Sequence, residues 1–132
     1  MKQGRITAAQ AAIMQLYRFK GIPFQISVDL LKMKRDLQVY VDCQAEQEEQ
    51  MALEISGGMN EDGSYPMDQA QQAKFRKELA KIQEEEVNYD LEPITIRLTP
   101  DLVERMGISG EVMDILDGFV IFEMNEEDGE AG

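Results

Sequence analysis

Residues 27–41, SVDLLKMKRDLQVYV, set Leu30, Met33, Leu37 and Tyr40 at intervals of three, four and three. That spacing lays all four side chains on one face of a helix. A second stripe follows in Phe75, Leu79 and Ile82, with Val87 closing the row. Between the two lies Gly57-Gly58-Met59-Asn60-Glu61-Asp62-Gly63-Ser64-Tyr65-Pro66, a run of turn formers. Two apolar stripes joined by a short polar loop predict a long antiparallel helical hairpin over 27–87. Ser27 or Pro23 starts the first helix, with Ser27 the preferred cap, and Gly57-Gly58 is its stop; Asp68 is the expected cap of the second. From Asp42 to Gln50 the stripe thins to Cys43 and Ala45 among Glu and Gln, so this part is expected to project into solvent or meet a partner. With the turn near residue 61, Glu46 and Glu48 are expected near Arg76 and Lys74, in surface pairs of about 0–1 kcal/mol each.

Upstream, Lys2–Ile6 reads as a short strand. Thr7 then caps an Ala-rich helix on which Ala9, Ile13, Leu16 and Tyr17 share a face, with Gly21 as its stop and Arg18 and Lys20 in its last turn. Ile22-Pro23-Phe24 is a stiff turn, because the residue before a proline avoids helix. Downstream the period changes. Ile94, Ile96 and Leu98 alternate with Thr95 and Arg97, as in a half-buried strand. Thr99-Pro100 opens a short helix that ends at Gly107, Ser109 or Gly110 opens another that ends at Asp117-Gly118, and Phe119–Phe122 is a second strand candidate. The expected fold is mostly α (α+β): the hairpin, an N-terminal helix, two short C-terminal helices and a small sheet of two or three strands. A single domain is expected over 1–123, with an acidic, flexible tail at 124–132.

Composition excludes much chemistry. There is no histidine and one cysteine, Cys43. Ser-His-Asp and Cys-His mechanisms are out, as are zinc sites built on histidine or paired cysteines. Cys43 is expected at the surface or in a seam, with no neighbouring base to activate it. An oxygen-ligated metal is the remaining enzymatic route. Glu84-Glu85-Glu86 fails it, because three consecutive helical residues point in different directions. Asn60-Glu61-Asp62-Gly63 lacks the acidic first ligand and closing Glu of a calcium loop. No P-loop or dinucleotide fingerprint is present, and no cofactor is expected.

The net charge of −13 repels nucleic acid and anionic lipid. No apolar run reaches about 18 residues, so no membrane span is expected. The charge is uneven: residues 1–28 carry Lys2, Arg5, Arg18 and Lys20 and no acid, a local +4 against −17 beyond. Arg5, Tyr17, Arg18, Lys20 and Phe24 form a candidate patch for an anion or nucleotide-like ligand, since Arg and aromatic groups suit phosphates and bases. The competing reading makes the aromatics plain core and pairs the cations with acids elsewhere. Val39, Val41, Met51 and Leu53 lie off the main stripe and need cover, which points to a homo-oligomer.

The order of features resembles a group of small phage and prophage proteins of Gram-positive bacteria: Arg5-Ile6-Thr7 before the Ala-rich helix, Gly21-Ile22-Pro23, Leu30-Leu31-Lys32, a Glu/Gln-rich helix reaching Asn60-Glu61-Asp62-Gly63, then Leu98-Thr99-Pro100-Asp101-Leu102 and Ile108-Ser109-Gly110 through Phe119-Val120-Ile121-Phe122. The group has no agreed activity, so the resemblance carries over no catalytic residue. It implies a viral gene product working in the bacterial cytoplasm. The function expected is a non-enzymatic, stoichiometric binder of a host component, such as an inhibitor of bacterial immunity. The alternative is a virion or tail-assembly protein that docks on another viral chain.

Overall fold

The computed structural model describes residues 1–125. Five helices and two strands follow in the order α1 (Gln3–Tyr17), α2 (Phe24–Ser56), α3 (Gln69–Glu84), β1 (Ile94–Leu98), α4 (Pro100–Met106), α5 (Gly110–Ile115) and β2 (Val120–Met124). At 33 residues α2 is the longest element, about 50 Å from end to end. The mostly helical α+β class is the one expected.

Several ends follow from local chemistry. Gly57 stops α2 in the left-handed region at φ 83°, where a side chain would be strained. Asp68 caps α3 in a full capping box, accepting from the Gln71 amide while the Gln71 side chain accepts from the Asp68 amide. Thr99 and Ser109 cap α4 and α5 through their hydroxyls.

The first residues depart from expectation. Lys2–Ile6 is no strand: α1 begins at Gln3, and Lys2 makes only an isolated bridge to Glu86. The good helix formers after Thr7 carry the helix back over it, so Thr7 is an interior residue rather than a cap. Its hydroxyl donates to the Gln44 side chain at 2.8 Å. At the other end α1 stops at Tyr17, and Gly21, at φ 82°, serves the turn that follows. α2 starts at Phe24 rather than at a Ser27 cap, because Pro23 already holds the extended conformation that precedes a helix. The sheet therefore has two strands. They run parallel, Ile94 beside Val120 and Leu98 beside Met124, with α4 and α5 as the crossover a parallel pair requires. β2 takes in Met124, so the domain runs past residue 123; most of the expected tail lies outside the described residues.

The core gathers Ile6, Ala9, Ile13 and Leu16 of α1, Ile26, Leu30, Met33 and Leu37 of α2, Ile96 and Leu98 of β1, and Met106, Leu116 and Phe119. Full burial of each large side chain is worth about 1.5–3 kcal/mol. The α2 stripe thus serves mainly α1. No residue of α3 is fully buried; Phe75, Leu79 and Ile82 are half-buried. Contacts between α2 and α3 run in opposed sequence order, the Gln71 amide reaching the Ile55 carbonyl while the Tyr40 hydroxyl, farther back along α2, reaches that of Asn88, just beyond α3. Lys74 and Glu78 line a crevice with Met51, Glu54 and Ile55. The register is therefore displaced from the expected one, and Glu46 and Glu48 form no ion pair with Arg76 or Lys74 among the described residues.

A line of amides fixes the α1–α2 seam. The Gln3 side chain donates to the Tyr40 carbonyl at 2.9 Å and to Gln44 at 3.3 Å. Gln10 donates to the Lys34 carbonyl at 3.1 Å and to Gln38 at 2.9 Å. Gln3, Gln10 and Gln44 are all buried, and every buried side-chain polar atom among the described residues has a partner. Leaving such a group unpaired costs about 1–3 kcal/mol, so the amides set both rotation and slide of one helix on the other.

Leu30→Ala is expected to cost about 2–5 kcal/mol, whereas Leu79→Ala, on a half-exposed helix, costs less than half as much. Urea unfolding of the two variants checks the ranking. A second expectation concerns acid. The Met1 ammonium donates to Glu86 at 2.8 Å, and this hydrogen bond and its positive charge hold the Glu86 carboxyl below its ordinary value of 4.5. A depressed carboxyl stabilises the fold above that ordinary value, and the contribution is lost as pH falls through the depressed one. Glu86→Gln should lower stability in the neutral region, where the contribution is present, and leave it almost unchanged in strong acid, so that the acid limb of the stability–pH curve flattens.

Candidate docking surface

The turn between α1 and α2 carries the most exposed aromatic group of the molecule. Phe24 opens α2 and is 83% exposed; Tyr17 and Phe19 are 40% and 42% exposed. Their positions follow from the ends of two helices. α1 buries Ile13 and Leu16, so Tyr17, one step round the helix, turns outward. Arg18 closes α1, Gly21 reverses the chain, and Pro23 launches α2 with Phe24 on the side away from buried Ile26. Arg105 of α4 steadies the turn: its guanidinium donates to the Gly21 carbonyl at 3.3 Å and bridges Asp101 at 2.9 Å.

Beside the turn is a groove of about 340 Å³, lined by Leu16, Arg18, Phe19, Met106, Gly107 and Val112 among others. Its floor is apolar and its rim carries Arg18. Gly107 sits at φ 64° with the Phe19 ring edge 3.9 Å from where a Cβ would lie, so the ring lies against the end of α4. Arg18 and Lys20 join no ion pair among the described residues. The groove offers apolar contact area with Arg18 at its edge, a composition that suits recognition.

Of the five residues expected in one ligand patch, Arg18 lines this groove with Phe19 beside it, while Tyr17, Lys20 and Phe24 lie on the same turn or at its ends, outside the groove's lining. Arg5 lies near the opposite end of α1, about 18 Å along the axis, where its guanidinium donates to the Asp117 carbonyl at 2.6 Å and stands over the Phe119 ring. Lys2 is likewise engaged, with Glu84 at 2.6 Å. The basic start of the chain therefore splits: one half holds the fold together and the other faces outward.

The four residues expected at an oligomer contact do not form one surface. Val39 is 67% exposed and Leu53 49% exposed. They share a face of α2, but Glu46 and Gln50 lie between them on it. Val41 and Met51 are half-buried elsewhere on the helix, Met51 in the crevice against Lys74 and Glu78. Cys43 is exposed, and the Gln47 side-chain amide donates to its sulfur at 4.0 Å. Around Asp62 the loop folds on itself: the Ser64 hydroxyl and amide donate to the carboxylate at 2.6 and 3.0 Å. That carboxyl is held below its ordinary value by the Ser64 hydrogen bonds, and the loop reads as a turn device.

Periodicity alone does not find the groove, because its two walls lie far apart in sequence, at 15–19 and 106–112. The exposed aromatics were legible as aromatics; their exposure depends on which α1 face meets α2. No helix among the described residues is long and apolar enough to cross a membrane. Comparison with family models, curated proteins and solved structures finds no match to this chain.

Phe24→Ala is expected to leave stability within about 0.5 kcal/mol of the parent, as for other exposed positions, while Leu16→Ala, on the groove floor and buried, costs about 2–5 kcal/mol. Thermal melts of the two variants separate a side chain held for contact from one held for packing.

Proposed function

We propose that this chain is a non-enzymatic binding protein, encoded by a phage or prophage, that acts stoichiometrically on a component of the bacterial host cytoplasm in the manner of an inhibitor of bacterial immunity. The observation that carries the binding reading is the exposed trio Tyr17, Phe19 and Phe24, set beside Arg18 and Lys20 on a chain whose net charge is −13. Exposed large apolar groups are costly to keep in water, and several of them on one turn, with cations that meet no acid among the described residues, suit an interface. The phage origin rests on the resemblance in layout alone. The partner in this proposal is a protein. The groove at Phe19 and Arg18 also suits a nucleotide-like small molecule, through stacking and charge.

The test is affinity capture from infected or prophage-bearing cells, with mass spectrometry of proteins and small molecules. Wild-type chain should retain a host component in near-equal amount, and the double variant Phe19→Ala/Phe24→Ala should lose it by at least about tenfold, as loss of an aromatic anchor does. Val39→Ser, on the outer face of α2, should retain it. Recovery of the chain in purified virions, with tail proteins as its captured partners, would replace this reading with an assembly role.

A further inference from the structure

Among the described residues, the parallel ladder leaves one edge of β1 open beside a groove. Ile94 donates from its amide to the Phe119 carbonyl at 3.1 Å, and Leu98 accepts from the Asn125 amide at 2.7 Å. Both ends of β1 therefore face β2. Main-chain groups alternate sides along a parallel strand, so Ile96 faces β2 as well, and the amides and carbonyls of Thr95 and Arg97 turn outward. Such an edge presents free main-chain donors and acceptors, a template on which another strand can pair. Along that edge runs a groove of about 480 Å³, with Thr95, Ile96 and Arg97 on one side and Pro23, Gln25, Ile26 and Asp29, from the start of α2, on the other. A helix standing over a free strand edge is the geometry in which extended peptides add to sheets: main-chain hydrogen bonds hold them, and the helix wall reads alternate side chains.

The charges select the occupant. Arg97 is already engaged, bridging Glu123 across the ladder at 3.2 Å. The Asp29 carboxylate accepts from the Gln25 side chain at 3.0 Å and meets no cation among the described residues. The groove's uncompensated charge is thus negative, on a protein of net charge −13. A second copy brings the same negative charge and is repelled. We infer that the groove between β1 and the first turn of α2 accepts an extended segment of a basic partner protein as a third strand, with a lysine or arginine toward Asp29 and an aliphatic side chain against Pro23 and Ile26. This rests on the protein-binding reading above and names the partner's chemistry at a neighbouring place.

The probe is a short capped peptide of alternating lysine and valine, titrated into isotope-labelled full-length protein while amide exchange is followed by NMR. It should slow exchange at Thr95 and Arg97 by at least about tenfold. The same peptide methylated on every second backbone nitrogen, made in both phases, should lose that protection in one phase and keep it in the other, because alternate amides of an added strand face β1. A glutamate–valine peptide, and the lysine peptide against Asp29→Asn, should both bind more weakly, the former by at least about tenfold. Phe19→Ala, which damages the surface of the preceding section, should leave peptide protection intact, so the two readings fail separately. Unchanged exchange at Thr95 and Arg97, equal binding of both methylated phases, equal affinity for the glutamate peptide, or protection of those amides in a self-associated protein without peptide would each overturn the inference.

Discussion

The structure depends on the seam between α1 and α2, where a line of buried glutamine amides runs beside an aliphatic core. The aliphatic side chains supply most of the stabilisation, but they would tolerate a slide of one helix along the other. The amides would not. Gln3 reaches the Tyr40 carbonyl and Gln44, Gln10 reaches the Lys34 carbonyl and Gln38, and Thr7 also donates to Gln44. A shift of one turn would leave several of these groups unpaired in a dry environment, at about 1–3 kcal/mol each. Everything else takes its place from that alignment. α3 lies across the start of α1 and the far half of α2, and the strands rest against the near half. The turn at 18–23 comes out where Arg105 can hold it.

This seam also explains which parts of the fold were legible in the sequence. The α2 stripe Leu30, Met33, Leu37 was clear, and so were the glycine stop at Gly57, the caps at Asp68, Thr99 and Ser109, and the alternation of β1. Each is a local signal read within a few residues. The partner of the stripe was not legible. Phe75, Leu79 and Ile82 show the same period as Ile6, Ile13 and Leu16, and period does not say which face is nearer. Glutamines at 3, 10 and 44 read as surface by residue type, yet each is buried because its amide is satisfied across the seam. The thin part of the stripe at 42–50 is largely exposed, as expected, but Gln44 within it is buried in the α1–α2 seam, at a position an aliphatic residue would otherwise hold.

The candidate surface divides the same way. Tyr17, Phe19 and Phe24 with Arg18 and Lys20 could be singled out as residue types that recognise ligands. Their exposure depends on α1 ending at Tyr17, which sequence placed several residues later. Arg5 has the same chemistry as Arg18 and a different use. Its guanidinium ties the start of α1 to the carbonyl of Asp117 and stacks on Phe119, so it contributes to the fold and is withdrawn from any patch near Phe24. Charge asymmetry along a chain is a property of composition, and tertiary pairing decides how much of it reaches the outside.

The side-by-side direction of β1 and β2 has a bearing on the order in which the protein assembles during synthesis. A hairpin can close as soon as its second arm leaves the ribosome. Here Ile94 must wait for Val120, with the whole of α4 and α5 made in between. Through that interval α1, α2 and α3 are already complete in sequence, and Ile96 and Leu98 have no ladder to join.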